Sequence, residues 1–409
     1  MNDLSGKIED CVVLLGQELS PVLCSSFEYE NGSISSISVT GEAPTPIGSR
    51  SVIVPGFVNG HTHVGDCFLA DAATKLTLAE GFFRPDGFKY RSLAAVAAKK
   101  HSQAIENFLT GMAASGTIGH IDFREQGSVG CTRLREASDR TGVRSVILSQ
   151  FDQLPFTQKE LEENVSSLPK ESVNELKEFL TLSDGFSEST MNDLTDTAWK
   201  EINEICVQAG KRKAIHCLED GTYRSTSWER TGEGDLTRAI QSLDPDLIVH
   251  LTVATEEEIN EIAEAGIPAV VNPRANATLG LSLPPVARLL DAGIPVLLGT
   301  DNGMLNGPSL LPELDFTYKL VRSQTGNENL VDPAVVLKMV TTNPGRTCWG
   351  NWFPGSLEVG NTASFVEFDF SSPLLSTSHH AIASVVTRCQ PGDIIQTVRD
   401  GQVIHYRRS

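Results

Sequence analysis

Pro55-Gly56-Phe57-Val58-Asn59-Gly60-His61-Thr62-His63 closes an apolar run that begins at Val52. Residues two apart on a strand point to the same face. If 52–58 is a strand, His61 and His63 converge at its C-terminal end, which is the geometry of a metal-binding pair. H-x-H alone also arises by chance, so its weight comes from the rest of the chain. His216 ends Lys213-Ala214-Ile215-His216, and His250 ends Leu247-Ile248-Val249-His250. Asp301 follows Pro295-Val296-Leu297-Leu298-Gly299-Thr300.

Strand-length apolar runs lie at 52–58, 116–123, 144–151, 212–218, 246–252, 267–272 and 295–299. A weaker run near Leu180 to Phe186 supplies an eighth. Helix-periodic stretches at 94–115, 191–209, 255–265 and 284–292 separate most of them. Strand–helix–strand repetition predicts parallel strands with crossovers. Eight units over this length fit a closed (β/α)8 TIM barrel in the α/β class. An open doubly wound sheet would need a Gly-rich phosphate loop after its first strand, and no G-x-G-x-x-G or G-x-x-x-x-G-K-[ST] occurs.

Both ends read differently. Cys11-Val12-Val13-Leu14-Leu15 and Ser33-Ile34-Ser35-Ser36-Ile37-Ser38-Val39 are β-like, with Asn31-Gly32 a turn between candidate strands. Ala363-Ser364-Phe365-Val366-Glu367-Phe368 alternates, and Asp400-Gly401 joins two further strands as a hairpin. Residues 1–53 and 355–409 are therefore expected to build one small composite β-sandwich domain, with 54–354 as the barrel. Residues 67–95, rich in Phe, Lys and Arg, form a long insertion on the C-terminal side of the first strand. A segment of that length in a compact domain is a candidate lid.

The chain has 409 residues, 40% of them hydrophobic, enough for a large core. A net charge of −19 argues against nucleic acid and anionic membrane as partners. No apolar stretch approaches the roughly 20 residues of a membrane span, and the polar, acidic start lacks a signal-peptide pattern. Eight scattered cysteines with no C-x-x-C suggest reduced thiols in a cytoplasmic protein. Homo-oligomerisation is left open.

Every candidate ligand falls at the C-terminal end of a predicted strand, the face on which a barrel builds its active site. A histidine there is individually more often a core residue, and an aspartate more often a turn or cap residue. Four of only nine histidines sit at such ends, and that joint placement favours a metal site. Three imidazoles and a carboxylate suit Zn2+, or Fe2+ as the alternative, with a position left for water. His120 lies in another strand-like run, where parity can direct it elsewhere. His379 and His380 read as surface residues, while His101 and His405 have no chemical context.

In this order the motifs resemble the amidohydrolase superfamily across nearly the whole chain. The Pro55 to His63 stretch is similar to its first-strand signature. His216-Cys217-Leu218-Glu219 resembles the H-x-x-E of its deaminase branch, and Val249-His250-Leu251-Thr252 the sixth-strand histidine. Asn272-Pro273-Arg274-Ala275-Asn276 resembles C-P-x-S-N, with Asn272 and Ala275 departing from Cys and Ser. Leu298-Gly299-Thr300-Asp301-Asn302 resembles the eighth-strand aspartate. Gly355 to Ala363 is similar to the stretch leading back into the β-sandwich. The candidate fourth strand, Thr181 to Glu188, lacks the lysine of binuclear members. With Glu219, this implies the mononuclear branch of cytosine, guanine and S-adenosylhomocysteine deaminases and triazine hydrolases.

That resemblance implies His61, His63, His216 and Asp301 as metal ligands, with Asp301 also accepting a proton from the attacking water. Glu219 would protonate a ring nitrogen and then the leaving amine. His250 would orient the water or the adduct. The expected activity is hydrolytic deamination of a small heterocycle. Amide or C–Cl hydrolysis is the alternative, and a non-catalytic scaffold is disfavoured by the intact ligand set. Neither the H-x-E with P-C-x-x-C of the small zinc deaminases nor H-E-x-x-H is present. Lys89, Arg124, Arg274 and Asn276 are the candidates for substrate binding, with Arg91 adding to a cationic set that suits an anionic or carbonyl group.

Overall fold

The structure, a computed structural model, describes residues 4–326, 330–347, 353 and 355–407. The apolar run before the histidines is two strands, divided at Pro55-Gly56. Four strands come first: β1 (Gly6–Leu15), β2 (Ser20–Glu30), β3 (Ser33–Glu42) and β4 (Ser51–Pro55). The next set is β5 (Phe57–His63), β6 (Thr117–Arg124), β7 (Arg144–Ser149), β8 (Gly185–Glu188) and β9 (Arg212–Cys217). It continues with β10 (Leu247–His250), β11 (Ala269–Val271), β12 (Val296–Leu298) and β13 (Asp301–Asn302). Last are β14 (Phe365–Asp369), β15 (Ile394–Arg399) and β16 (Gln402–Tyr406).

Strands β5 to β13 pair in parallel, in the order β12-β11-β10-β9-β8-β7-β6-β5-β13. The two ends of that order are halves of one run. β12 pairs with β11, and β13, just downstream, pairs with β5 through Asp301↔Thr62. The sheet thus closes as a (β/α)8 barrel, sealed at the segment that carries Asp301. Side chains from β6, β7, β9, β10, β11 and β12 meet in one cluster that includes Ile121, Phe123, Leu148, Ala214, Val249, Val270 and Leu297. Only the ring interior is shared by all six. On β6 the alternation sends Ile121 and Phe123 inward, so His120, Asp122 and Arg124 point out.

Helices at Ala98–Ala114, Asp196–Ala209, Glu256–Ala265 and Val286–Asp291 match the expected periodic stretches. The weak run near Leu180 to Phe186 is displaced. Helix Lys170–Leu180 takes its start, and the fourth barrel strand is Gly185–Glu188.

The terminal strands form a seven-stranded sheet, β16-β15-β14-β4-β1-β2-β3. Alternation splits β1 between two cores. Val12 and Leu14 pack with the main cluster of the molecule, while Cys11 and Val13 join Phe27, Ile53 and Phe365 on the other face. Phe27 and Phe365 lie three strands apart, about 14 Å in a flat sheet, yet their ring centroids are 5.2 Å apart. The sheet therefore curls over its own core as a sandwich. Asn31-Gly32 (φ 50° and 83°) and Asp400-Gly401 (φ 50° and 78°) are the expected left-handed hairpin turns.

The 67–95 insertion is ordered into short helices rather than a bare loop. Thr77 and Glu80 cap Leu78–Phe82 reciprocally, and Phe88–Ala95 follows. Both helices bring side chains over the barrel mouth. Among the described residues, no helix is long and apolar enough to cross a membrane.

Candidate metal centre

Four strand ends deliver the cluster: β5 with His61 and His63, β9 with His216, β10 with His250, and β13 with Asp301. The backbone at these ends is unusual. Leu218, His250, Leu251 and Asp301 all have positive φ, at 54°, 81°, 57° and 65°. Non-glycine residues adopt that region at a cost, and such strain gathers at functional sites. Leu218 turns the chain after β9, so Glu219 folds back beside His216 instead of diverging from it.

The hydrogen-bond pattern fixes where lone pairs point. His63 Nδ1 sits 2.9 Å from Glu125 Oε1 and 3.0 Å from the Phe123 carbonyl. His216 Nδ1 sits 3.0 Å from the Glu188 carbonyl. All of these partners accept, so both Nδ1 atoms carry the proton and both Nε2 atoms present lone pairs. Those two Nε2 atoms face each other at 3.2 Å. His61 is fully buried, and neither of its ring nitrogens has a hydrogen-bond partner, although Asp301 Oδ1 lies 3.2 Å from Nε2. Asp301 Oδ1 is also 3.9 Å from His63 Nε2. Converging lone pairs and a carboxylate with no proton between them fit a cation, and nitrogen and oxygen donors suit a divalent transition metal. Burial pushes His61 down to about 3 and His216 well below the usual imidazole value, so both are neutral and able to ligate. Burial acts to raise Asp301, but the adjacent His61 ring and the neighbouring His250 and His63 imidazoles outweigh it and keep the group ionised.

Glu219 stands beside this donor set. Its Oε2 accepts from Tyr223 Oη at 2.8 Å and lies 3.7 Å from His250 Nε2. Burial raises its pKa above the ordinary carboxylate value, against the pull of His250 and with the push of Asp301. Glu219, His250 and Asp301 offer ligand atoms within 4.8 Å of one another, as do His61, His216 and His250. What separates His250 from the other imidazoles is its Nε2, which faces Glu219. Its Nδ1 lies 3.3 Å from the Asn276 amide. With its amide turned so that the nitrogen donates to the Val271 and Gly299 carbonyls, Asn272 presents its oxygen to the same Nδ1.

The residues expected to bind substrate are not all together. Lys89 lines the cavity over the donors, and Asn276 backs His250. Arg124 is fully buried behind Glu125, 3.4 Å from Oε2, because strand parity points it away from the ring. Arg274 pairs with buried Glu313 at 3.1 Å, and both Arg274 and Arg91 lie outside the cavity lining. His120 bridges Thr62 and Ser145 at 2.8 and 2.6 Å, and His101 bridges Gly65 and Arg133 at 2.6 and 2.7 Å, so both are structural. His379 and His380 are exposed, and His380 caps helix Ala381–Thr387.

Sequence reasoning passed over Glu125, Asp66 and Tyr223. Glu125 was findable, since it follows the end of β6 as Asp301 follows the eighth run. Asp66 accepts from Asn302 at 2.6 Å and from the Met304 amide at 2.9 Å. That pairing joins distant segments and leaves no local signal.

Comparison with known proteins agrees with this geometry. The amidohydrolase family profile matches residues 52–404. A Methanothermobacter thermautotrophicus protein, provisionally named an aminohydrolase, is 29% identical over 97% of this chain and 98% of its own length. A 5-methylthioadenosine/S-adenosylhomocysteine deaminase of Caldicellulosiruptor saccharolyticus is 24% identical over 94% of this chain and 89% of its own. Among solved structures, the zinc complex of atrazine chlorohydrolase from Arthrobacter aurescens superposes with a TM-score of 0.83 at 17% identity. That likeness covers 97% of this chain and 94% of the other, and it concerns the fold. The chain belongs to the amidohydrolase family and is a hydrolase.

Proposed function

We propose that this amidohydrolase is a metal-dependent aminohydrolase that deaminates a small heterocycle, of the purine, pyrimidine, pterin or triazine kind. The observation that carries the reading is Glu219: a buried carboxyl, raised in pKa, held by Tyr223 beside the metal donors. Simple ion binding does not need such a group, whereas expelling an amine does. The deaminase names of relatives matched over most of their length support the same reading.

His61, His63, His216 and Asp301 would hold the ion, zinc as the first expectation and ferrous iron as the second. A divalent ion there supplies the Lewis acidity that makes water nucleophilic near neutral pH. Asp301 accepts a proton as the water oxygen bonds to the sp2 carbon bearing the amine. Glu219 gives its proton to the adjacent ring nitrogen. It then carries the proton taken up by Asp301 to the amine, which leaves as ammonia. The proton still on the new oxygen restores the Glu219 acid as the carbonyl forms. His250, fixed from behind by Asn276, orients the adduct. The seven described free thiols suit the reducing cytoplasm.

The test joins elemental analysis of purified protein to an ammonia-release screen over purines, pyrimidines, pterins and triazines. Bound transition metal and ammonia from one heterocycle are expected. Protein without metal, or a substrate that yields chloride or a carboxylate plus amine, overturns the deaminase reading.

A further inference from the structure

We propose that Lys89 is a positioning residue: it latches the lid onto the metal centre and, through two buried carboxylates, holds the ligands His63 and Asp301 in place. The proposal rests on the metal-site reading above. The cavity between lid and donors has a volume of only about 30 Å³, against roughly 300–1,000 Å³ for pockets that hold small molecules. Leu78, Phe82, Lys89 and Tyr90 of the lid close it from above. A heterocycle can enter only when these side chains withdraw, and Lys89 withdraws with them.

What Lys89 leaves behind decides the consequence. Its Nζ is 2.5 Å from Glu125 Oε1 and 3.8 Å from Asp66 Oδ2. Glu125 Oε1 accepts from His63 Nδ1 at 2.9 Å, fixing the tautomer that aims Nε2 at the metal position. Asp66 grips Asn302 and Met304, just after Asp301. One cation from the lid thus compensates two carboxylates, each buttressing a ligand on a different strand. Lys89, Asp66 and Glu125 are no more than 2% exposed, where an uncompensated charge is expensive. Arg124 stays near the other oxygen of Glu125 at 3.4 Å, so Asp66 loses more when the lid lifts. The same pairing explains why Lys89 does not serve as a free cation for an anionic substrate: both carboxylates already claim it. Lid closure and ligand orientation therefore form one event.

The experiment measures zinc affinity by chelator competition for wild type, Lys89→Met and Lys89→Arg. In Lys89→Met, zinc is expected to bind about 10- to 100-fold more weakly. Its kcat should fall while KM holds, on any substrate the ammonia screen returns. Lys89→Arg should restore part of both. Unchanged zinc affinity with only a raised KM overturns the proposal and makes Lys89 a substrate contact. A second measurement needs no variant to fold. Coupling is reciprocal, so loading wild-type protein with zinc should slow hydrogen exchange across 78–95. Unaltered exchange in protein that does take up zinc overturns the latch alone. Protein that takes up no zinc overturns the metal-site reading, and the latch with it.

Discussion

The barrel mouth and the terminal sheet bury side chains for opposite ends. At the mouth, Asp66, Lys89, Glu125, Glu188, Glu219 and Asp301 are all buried, with four histidines among them. Among the described strands of the terminal sheet, Glu367 is the only charged side chain so buried, and Ser51 and Gln396 bond both its oxygens at 2.6 and 2.7 Å. The sheet's remaining buried positions are chiefly apolar, as in β1, where alternate residues fill two cores. At the mouth, packing that would favour stability gives way to arranged charge. The sheet and the barrel wall supply the stability that lets the mouth keep it.

That contrast breaks most sharply at Asp301. On the proposed assignment Asp301→Asn removes both a metal donor and the proton acceptor, so kcat/KM should fall by roughly 10^3- to 10^4-fold. Its thermal midpoint without metal should stay near wild type, because a buried charge has been taken away. A large loss of stability with activity retained per folded molecule would show that Asp301 belongs to the scaffold instead.

Next in size is Glu219→Gln, expected to lower kcat by about 10^2- to 10^3-fold with metal content unchanged. The pH profile carries a sign. Glu219 must start protonated, and its raised pKa keeps it so at higher pH than an ordinary carboxyl. Activity should therefore fall as pH rises through that pKa, and the glutamine variant should lose this alkaline limb. A limb that survives in the variant assigns the titration to another group.

Phe365→Ala is the converse change. Phe365 is fully buried against Phe27 and Tyr29, so stability should fall by about 3–5 kcal/mol. Denaturant unfolding measures that loss, and kcat/KM of the folded fraction should not move. The smallest effect belongs to His380→Ala, which removes a helix cap worth about 0.5–1 kcal/mol. It should leave activity and metal content as they were, and any loss of metal would return a surface histidine to the site.

The cluster at the barrel mouth was legible because strand alternation and strand ends are local properties. His61, His63, His216, His250 and Asp301 could each be placed from a few neighbouring residues. Arg124 was readable too, but in the other sense: Phe123 turns inward with Ile121, so Arg124 must turn out. The candidate lid stood out by its length and by its place on the C-terminal side of the first strand, and Thr77 and Glu80 cap the first of its helices. The link from Asp66 to Asn302 was beyond reach, since it joins residues 236 apart in sequence. Arg274 misled for a related reason, because its partner Glu313 comes from a later helix.

The seam where β13 meets β5 also bears on the order in which the chain folds. Asn59 bonds Thr300 across it at 2.8 Å, joining residues 241 apart in sequence. Contacts of such separation form late, because the chain entropy lost in closing them is recovered only once the intervening strands are in place. The ion's donors straddle this seam. A nascent chain still lacking its last barrel strand holds histidines but no complete candidate site, so on the proposed ligand set metal uptake would report that the ring has closed.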